Sequence, residues 1–241
     1  TMSALLPGLL LASSLLVAPA PQAPGGGQNR PSTAQEAPAG RPMPVIADSV
    51  VERSIRLPSG PLAYNVHSGM IGLGPDGQPA ECNMFYVAYF KKDAPTTSRP
   101  VTFCFNGGPG SATLWLHMGG LGPMRAPMND DGSLPPPPYQ AVENQDTWLD
   151  FTDLVFIDAP GTGFSRLTSS SFASKYFGVQ PDIAAFTSFI KSWLTKHERW
   201  RSPLFIAGES YGGIRGSGLS QSLYRTGIAV NGFISISGTS N

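Results

Sequence analysis

The sequence predicts an α/β fold, a mixed and mostly parallel sheet with helices on both faces, and three observations carry that expectation. Val101–Phe105, Leu154–Ile157 and Leu204–Ala207 are nearly unbroken apolar runs, the composition of strands covered on both sides. Within Pro181–Trp200, the residues Ile183, Phe186, Phe189, Ile190, Trp193 and Leu194 recur at three- and four-residue spacing, the period of an amphipathic helix. Strand, helix and strand in that succession make a parallel crossover unit.

Taken in chain order, residues 1–20 hold an apolar stretch from Leu5 to Val17 followed by Ala18-Pro-Ala20, the pattern of a signal peptide. It is short for a membrane span, so the expectation is export, to a secreted or periplasmic location. Residues 21–44 contain almost no large apolar side chain and read as a Pro/Ala/Gly-rich linker that buries too little surface to offset its ordering entropy. The folded domain is expected over 45–241. It opens with three β-branched or aromatic runs, 50–57, 62–67 and 82–91, separated by Leu57-Pro-Ser-Gly60 and Gly74-Pro-Asp-Gly77, which is the layout of an antiparallel meander. After the apolar strands, Pro181 occupies a first helical turn that tolerates proline. Tyr211–Tyr224 reads as a further helix and Val230–Ser237 as a last strand, whose outer edge is left open.

Lys+Arg and Asp+Glu number 16 each, for a formal net charge of zero. Without a basic field there is nothing to draw in a phosphate backbone, so nucleic acid is not an expected partner. Cys82 and Cys104 permit one disulfide, and two separate buried thiols fit the sequence equally well. No His/Cys cluster has zinc-ligand spacing; neither a metal nor a cofactor is expected.

Two motifs carry chemistry. Gly208-Glu209-Ser210-Tyr211-Gly212 is a G-x-S-x-G between an apolar strand and a helical segment. In that context a sharp turn lifts the serine hydroxyl above the sheet edge, and the glycines remove side chains that would clash in the turn. The second is Asn106-Gly-Gly-Pro-Gly-Ser111, directly after Val101–Phe105. Adjacent glycines there let backbone N–H groups point at a substrate, as an oxyanion hole requires. An ordinary Gly-Pro turn is the plainer account of the same residues.

With these motifs in place, Phe105–Arg125 (FNGGPGSATLWLHMGGLGPMR), Phe156–Ser165 (FIDAPGTGFS) and Pro203–Gly213 (PLFIAGESYGG) resemble three N-terminal signature blocks of the serine carboxypeptidase family, which has the α/β-hydrolase fold. The resemblance runs from about Val50 to the chain end. It implies that Ser210 is the nucleophile, that the N–H groups of Gly108 and Tyr211 form the oxyanion hole, and that Asn106 and Glu209 bind the terminal carboxylate of a peptide with a free C-terminus. A carboxylic acid beside that carboxylate donates a hydrogen bond only while protonated, which ties activity to low pH through Glu209. Read without the resemblance, Glu209 is a solvated carboxylate and Asn106 a turn cap.

Two departures stand out. Cys104 lies where many family members carry Trp, and Ile-Arg-Gly-Ser-Gly218 follows Gly213, its two extra glycines each weakening a helix by about 1 kcal/mol relative to alanine. His67, His117 and His197 all precede Ser210, whereas this fold takes its Asp and His from beyond the nucleophile. His197, among Lys196, Glu198 and Arg199, is expected to face solvent, and His117 to be structural. The expectation is therefore the N-terminal portion of an exported carboxypeptidase, inactive alone, with its catalytic Asp and His beyond residue 241. An esterase or acyltransferase on the same fold, and a non-catalytic binding protein, are the competing readings.

Overall fold

The computed structural model describes residues 46–238, so the expected signal peptide and linker lie outside the described residues. Strands β1 (Ser49–Leu57), β2 (Gly60–Leu73) and β3 (Cys82–Lys91) form the expected antiparallel meander. β2 runs six residues further than its apolar pattern suggests. Ser68–Leu73 contains two glycines, a poor strand composition by itself, but its ladder with β3 continues to the pair Leu73↔Cys82. Tertiary pairing overrides propensity there.

Strand β4 (Val101–Phe105) is buried at all five positions. A short helical turn, α1 (Leu114–Leu116), widens into a wider-pitched turn over His117–Leu121. A small hairpin of β5 (Met124–Arg125) and β6 (Val142–Glu143) leads to β7 (Asp153–Ile157), again fully buried. β8 (Arg166–Leu167) and α2 (Ala173–Tyr176) precede the long helix α3 (Val179–Lys196), then β9 (Leu204–Glu209), α4 (Gly212–Arg225) and β10 (Gly232–Ile236). In the main sheet the order is β1-β2-β3-β7-β4-β9-β10, with β8 added beside β3. β7, β4, β9 and β10 are mutually parallel, while the first three strands and β8 pair antiparallel.

Alternation along the strands splits the core in two. Phe103, Phe105, Val155, Ile157 and Ile206 face α3 and α4, where Phe186, Phe189, Ile190, Trp193, Leu219 and Leu223 meet them. Cys104, Leu154, Phe156 and Ala207 point the other way, onto Leu116, Leu121 and Leu149. Long helices therefore cover one face and short helical turns the other. Each fully buried large apolar side chain contributes roughly 1.5–3 kcal/mol of transfer free energy.

The structure answers three points the sequence raised, and corrects the one concerning His197. Cys82 and Cys104 are both buried free thiols, and burial pushes the Cys82 thiol up to about 12 and Cys104 higher still. His197 is half-buried in an aromatic nest rather than facing solvent: its Nε2 lies 3.0 Å from the Tyr86 hydroxyl and its ring 4.6 Å from that of Trp193. The two extra glycines of α4 have a packing reason. A Cβ on Gly216 would overlap the Phe233 ring, and one on Gly218 would overlap Ile183, so the helix gives up propensity for a close approach to β10 and α3.

Candidate active site

The site is built where β9 turns into α4. Ser210 sits at φ +57°, a left-handed conformation that costs a non-glycine residue of order 1–3 kcal/mol and persists when its surroundings enforce it. Those surroundings are visible: the Ser210 N–H donates to Ile236 O at the end of β10 (3.0 Å), and its carbonyl accepts from Gly213 N (2.8 Å). A Cβ on Gly208 would overlap the Gly212 carbonyl and stand 2.9 Å from the Phe105 ring. Gly208 is thus required by the crossing of strand and helix.

The glycine loop after β4 reaches the same point. A Cβ on Gly107 would overlap Tyr211 N and stand 2.7 Å from Glu209 O, so the loop backbone is pressed against the turn. Gly108 follows at φ +107°, exposed, and no described acceptor takes the N–H of either Gly108 or Tyr211. Two free backbone donors beside a strained serine can stabilise a developing oxyanion.

Asn106 is 1% exposed and fixed on three sides. Its Nδ2 donates to Glu209 Oε2 (3.0 Å), its Oδ1 accepts from Leu116 N (3.0 Å), and its carbonyl accepts from Arg215 Nη1 (2.6 Å). A cleft of about 470 Å³ is lined by Asn106, Gly108, Glu209 and Ser210 together with Ser111, Trp115 and Leu116. Tyr211 lines a neighbouring, mainly apolar cavity of about 380 Å³ with Pro109, Phe177 and Val179. All five residues singled out in the sequence therefore converge on the carboxyl edge of the sheet.

Trp115 was not legible in advance. It is 70% exposed and supplies an aromatic wall to the cleft, while Cys104 is buried in the core on the face that carries Leu116. Asp158 is another. Its carboxylate accepts from Thr113 N and Phe164 N, both at 3.0 Å, tying the Phe156–Ser165 block to the start of α1; burial raises its pKa. Gly163, at φ +50°, leaves room for that carboxylate.

None of the histidines lines either cavity. His117 Nε2 is 2.6 Å from the Tyr89 hydroxyl and its ring stacks on Phe156 at 4.3 Å; burial lowers its pKa to about 4. His197 is lowered to about 4 by burial and then by His67, and His67 itself is lowered by burial. Among the described residues no group of three His, Cys, Asp or Glu could hold a metal, and no helix is long and apolar enough to cross a membrane.

An α/β sheet with a strained serine on a G-x-S-x-G turn at its carboxyl edge, faced by a glycine loop from the preceding strand, defines an α/β-hydrolase. The sequence profile of the serine carboxypeptidase family matches residues 58–238, and the chain belongs to that family of hydrolases. Among its curated relatives are serine carboxypeptidase-like 2 of Arabidopsis thaliana, 28% identical over 64% of this chain and 34% of that protein, and pheromone-processing carboxypeptidase kex1 of Aspergillus niger, 30% identical over 69% and 25%. Serine carboxypeptidase-like 45 of Arabidopsis thaliana is 32% identical over 67% and 33%. The chain thus spans about a quarter to a third of the length of these relatives. A fungal esterase structure from Rhizomucor miehei is similar at 15% identity and a TM-score of 0.42, over 73% of this chain and 45% of that one.

Proposed function

We propose that the protein is a serine carboxypeptidase that releases residues from the free C-terminus of a peptide through an acyl-enzyme on Ser210. The observation that carries this reading is the Asn106–Glu209 hydrogen bond of 3.0 Å within the cleft that also holds Ser210. An esterase needs an oxyanion hole beside its serine; a locked amide and carboxyl pair on the leaving-group side suits a substrate ending in a carboxylate. Asn106 Nδ2 keeps a second N–H for that group, and the Glu209 carboxyl lies beside it in the same cleft. The scissile carbonyl then lies over Ser210. Attack by Oγ transfers its proton to a histidine supplied, with its aspartate, from outside the described residues. The oxyanion is received by the N–H groups of Gly108 and Tyr211, the terminal amino acid departs with the proton, and water hydrolyses the ester in a second passage through the same hole. Export, read from residues 1–20, places this activity outside the cytoplasm.

Labelling of the full-length protein with a fluorophosphonate probe tests the nucleophile: labelling is expected and Ser210→Ala abolishes it. Hydrolysis of a peptide with a free C-terminus and no turnover of its amidated counterpart is the signature expected of the carboxylate site. Equal turnover of both, or of small esters alone, would transfer the assignment to an ester- or acyl-transferring enzyme. A folded full-length protein that fails to label would leave a binding role.

A further inference from the structure

Arg215 is explained neither by the chemistry at Ser210 nor by the core. It lies five residues past Ser210 on the inward face of α4 and is completely buried. Its Nε donates to Asp182 Oδ2 (2.7 Å) and its Nη2 to Asp182 Oδ1 (3.2 Å), a two-armed contact to the first turn of α3. The spare donors reach back under the glycine loop, Nη1 to Asn106 O (2.6 Å) and Nη2 to Pro109 O (3.3 Å). These carbonyls bracket Gly107 and Gly108. The rings of Phe186, Tyr211 and Phe105, at 4.6, 5.3 and 5.3 Å, hold the guanidinium.

A loop of glycines has no side chains with which to fix its own height above the sheet. A buried ion pair is a poor way to gain stability, because apolar groups of equal volume often do as well. What the planar, five-donor fork adds is simultaneous contact with a carboxylate and two separate carbonyls. We infer that Arg215, anchored by Asp182, is a positioning residue that sets the Gly108 N–H relative to Ser210. The inference rests on the proposed reading only in taking Gly108 as an oxyanion donor, and it applies to peptide and ester substrates alike.

The test uses the full-length protein and two variants, read by hydrolysis of a p-nitrophenyl ester and by the rate of fluorophosphonate labelling. R215M/D182L removes both charges and leaves apolar side chains of similar shape, and a cooperative thermal transition shows that it folds. Its kcat and labelling rate should fall about 10- to 100-fold, the scale of a misplaced oxyanion donor, with KM changed less than about threefold, as for a group acting only in the transition state. R215K keeps the partner for Asp182 but cannot serve both carbonyls; a loss of about 10-fold in kcat at retained folding is expected, and this variant decides should the double one not fold. Wild-type kcat and labelling rate in a folded variant of either kind would overturn the inference. Loss of free-C-terminus selectivity in the wild type would sink the carboxypeptidase reading and leave the Arg215 result intact.

Discussion

Two buried arginine–aspartate assemblies sit at opposite ends of the parallel strands. At the amino edge, Asp153 opens β7 and accepts from Arg99 Nε (2.7 Å), Arg199 Nη1 (2.6 Å) and the Lys91 N–H (3.0 Å). The spare donors of the two arginines go to carbonyls of Leu149, Asp150 and Arg99 and to the Ser202 hydroxyl. At the carboxyl edge, one aspartate meets one arginine, and the spare donors go to Asn106 and Pro109. The chemistry is the same, and the difference lies in what the remaining N–H groups grip. One set ties together loops remote from Ser210; the other holds the loop that faces it. Buried charge is therefore not by itself a mark of function in this fold: position relative to the sheet edge decides what it does.

The largest stability effect is expected at the amino edge, where Asp153→Ala strands two buried guanidinium groups and should cost about 3–5 kcal/mol in denaturant unfolding. The labelling rate per folded molecule at Ser210 should stay at the wild-type level; a specific loss there would mean that the two edges are coupled. A smaller effect is expected behind Ser210: Gly216→Ala, which drives a methyl into Phe233, should destabilise by about 1–3 kcal/mol through overpacking, despite improving helix propensity. A stabilised variant would show that the α4 glycines are dispensable.

The pH response is the mildest distinction. His67 and His197 pack beside Arg199 and Lys196, and His117 packs beneath the cleft. All three have folded pKa values below the ordinary 6.5, with His117 and His197 near 4. Between those values the unfolded chain binds more protons than the folded one. The stability they contribute is therefore fully present above about pH 6.5 and lost as pH falls toward 4. Thermal midpoints should decline over that window, and less so in His117→Phe.

Much of this was legible in the chain. Three apolar strands, one amphipathic helix and a serine between glycines specify the crossover unit and the turn, because burial on two faces and a sharp strand-to-helix bend each demand a composition that can be read locally. The convergence of Asn106, Gly108, Glu209, Ser210 and Tyr211 was foreseen through family resemblance, since residues 103 positions apart carry no local sign of contact. Trp115 was missed because exposure of an aromatic residue depends on which way a short turn packs. Arg215 looked like a departure from the family pattern, and its partners, Asp182 on α3 and Asn106 and Pro109 in the glycine loop, belong to two other segments of the chain. By itself, then, the sequence determined the order of elements and the strand-to-helix turn at Ser210, where the physical constraint is local. Only the tertiary structure decided which histidines are buried, why α4 needs its glycines and what supports the glycine loop, because each depends on the approach of distant backbone.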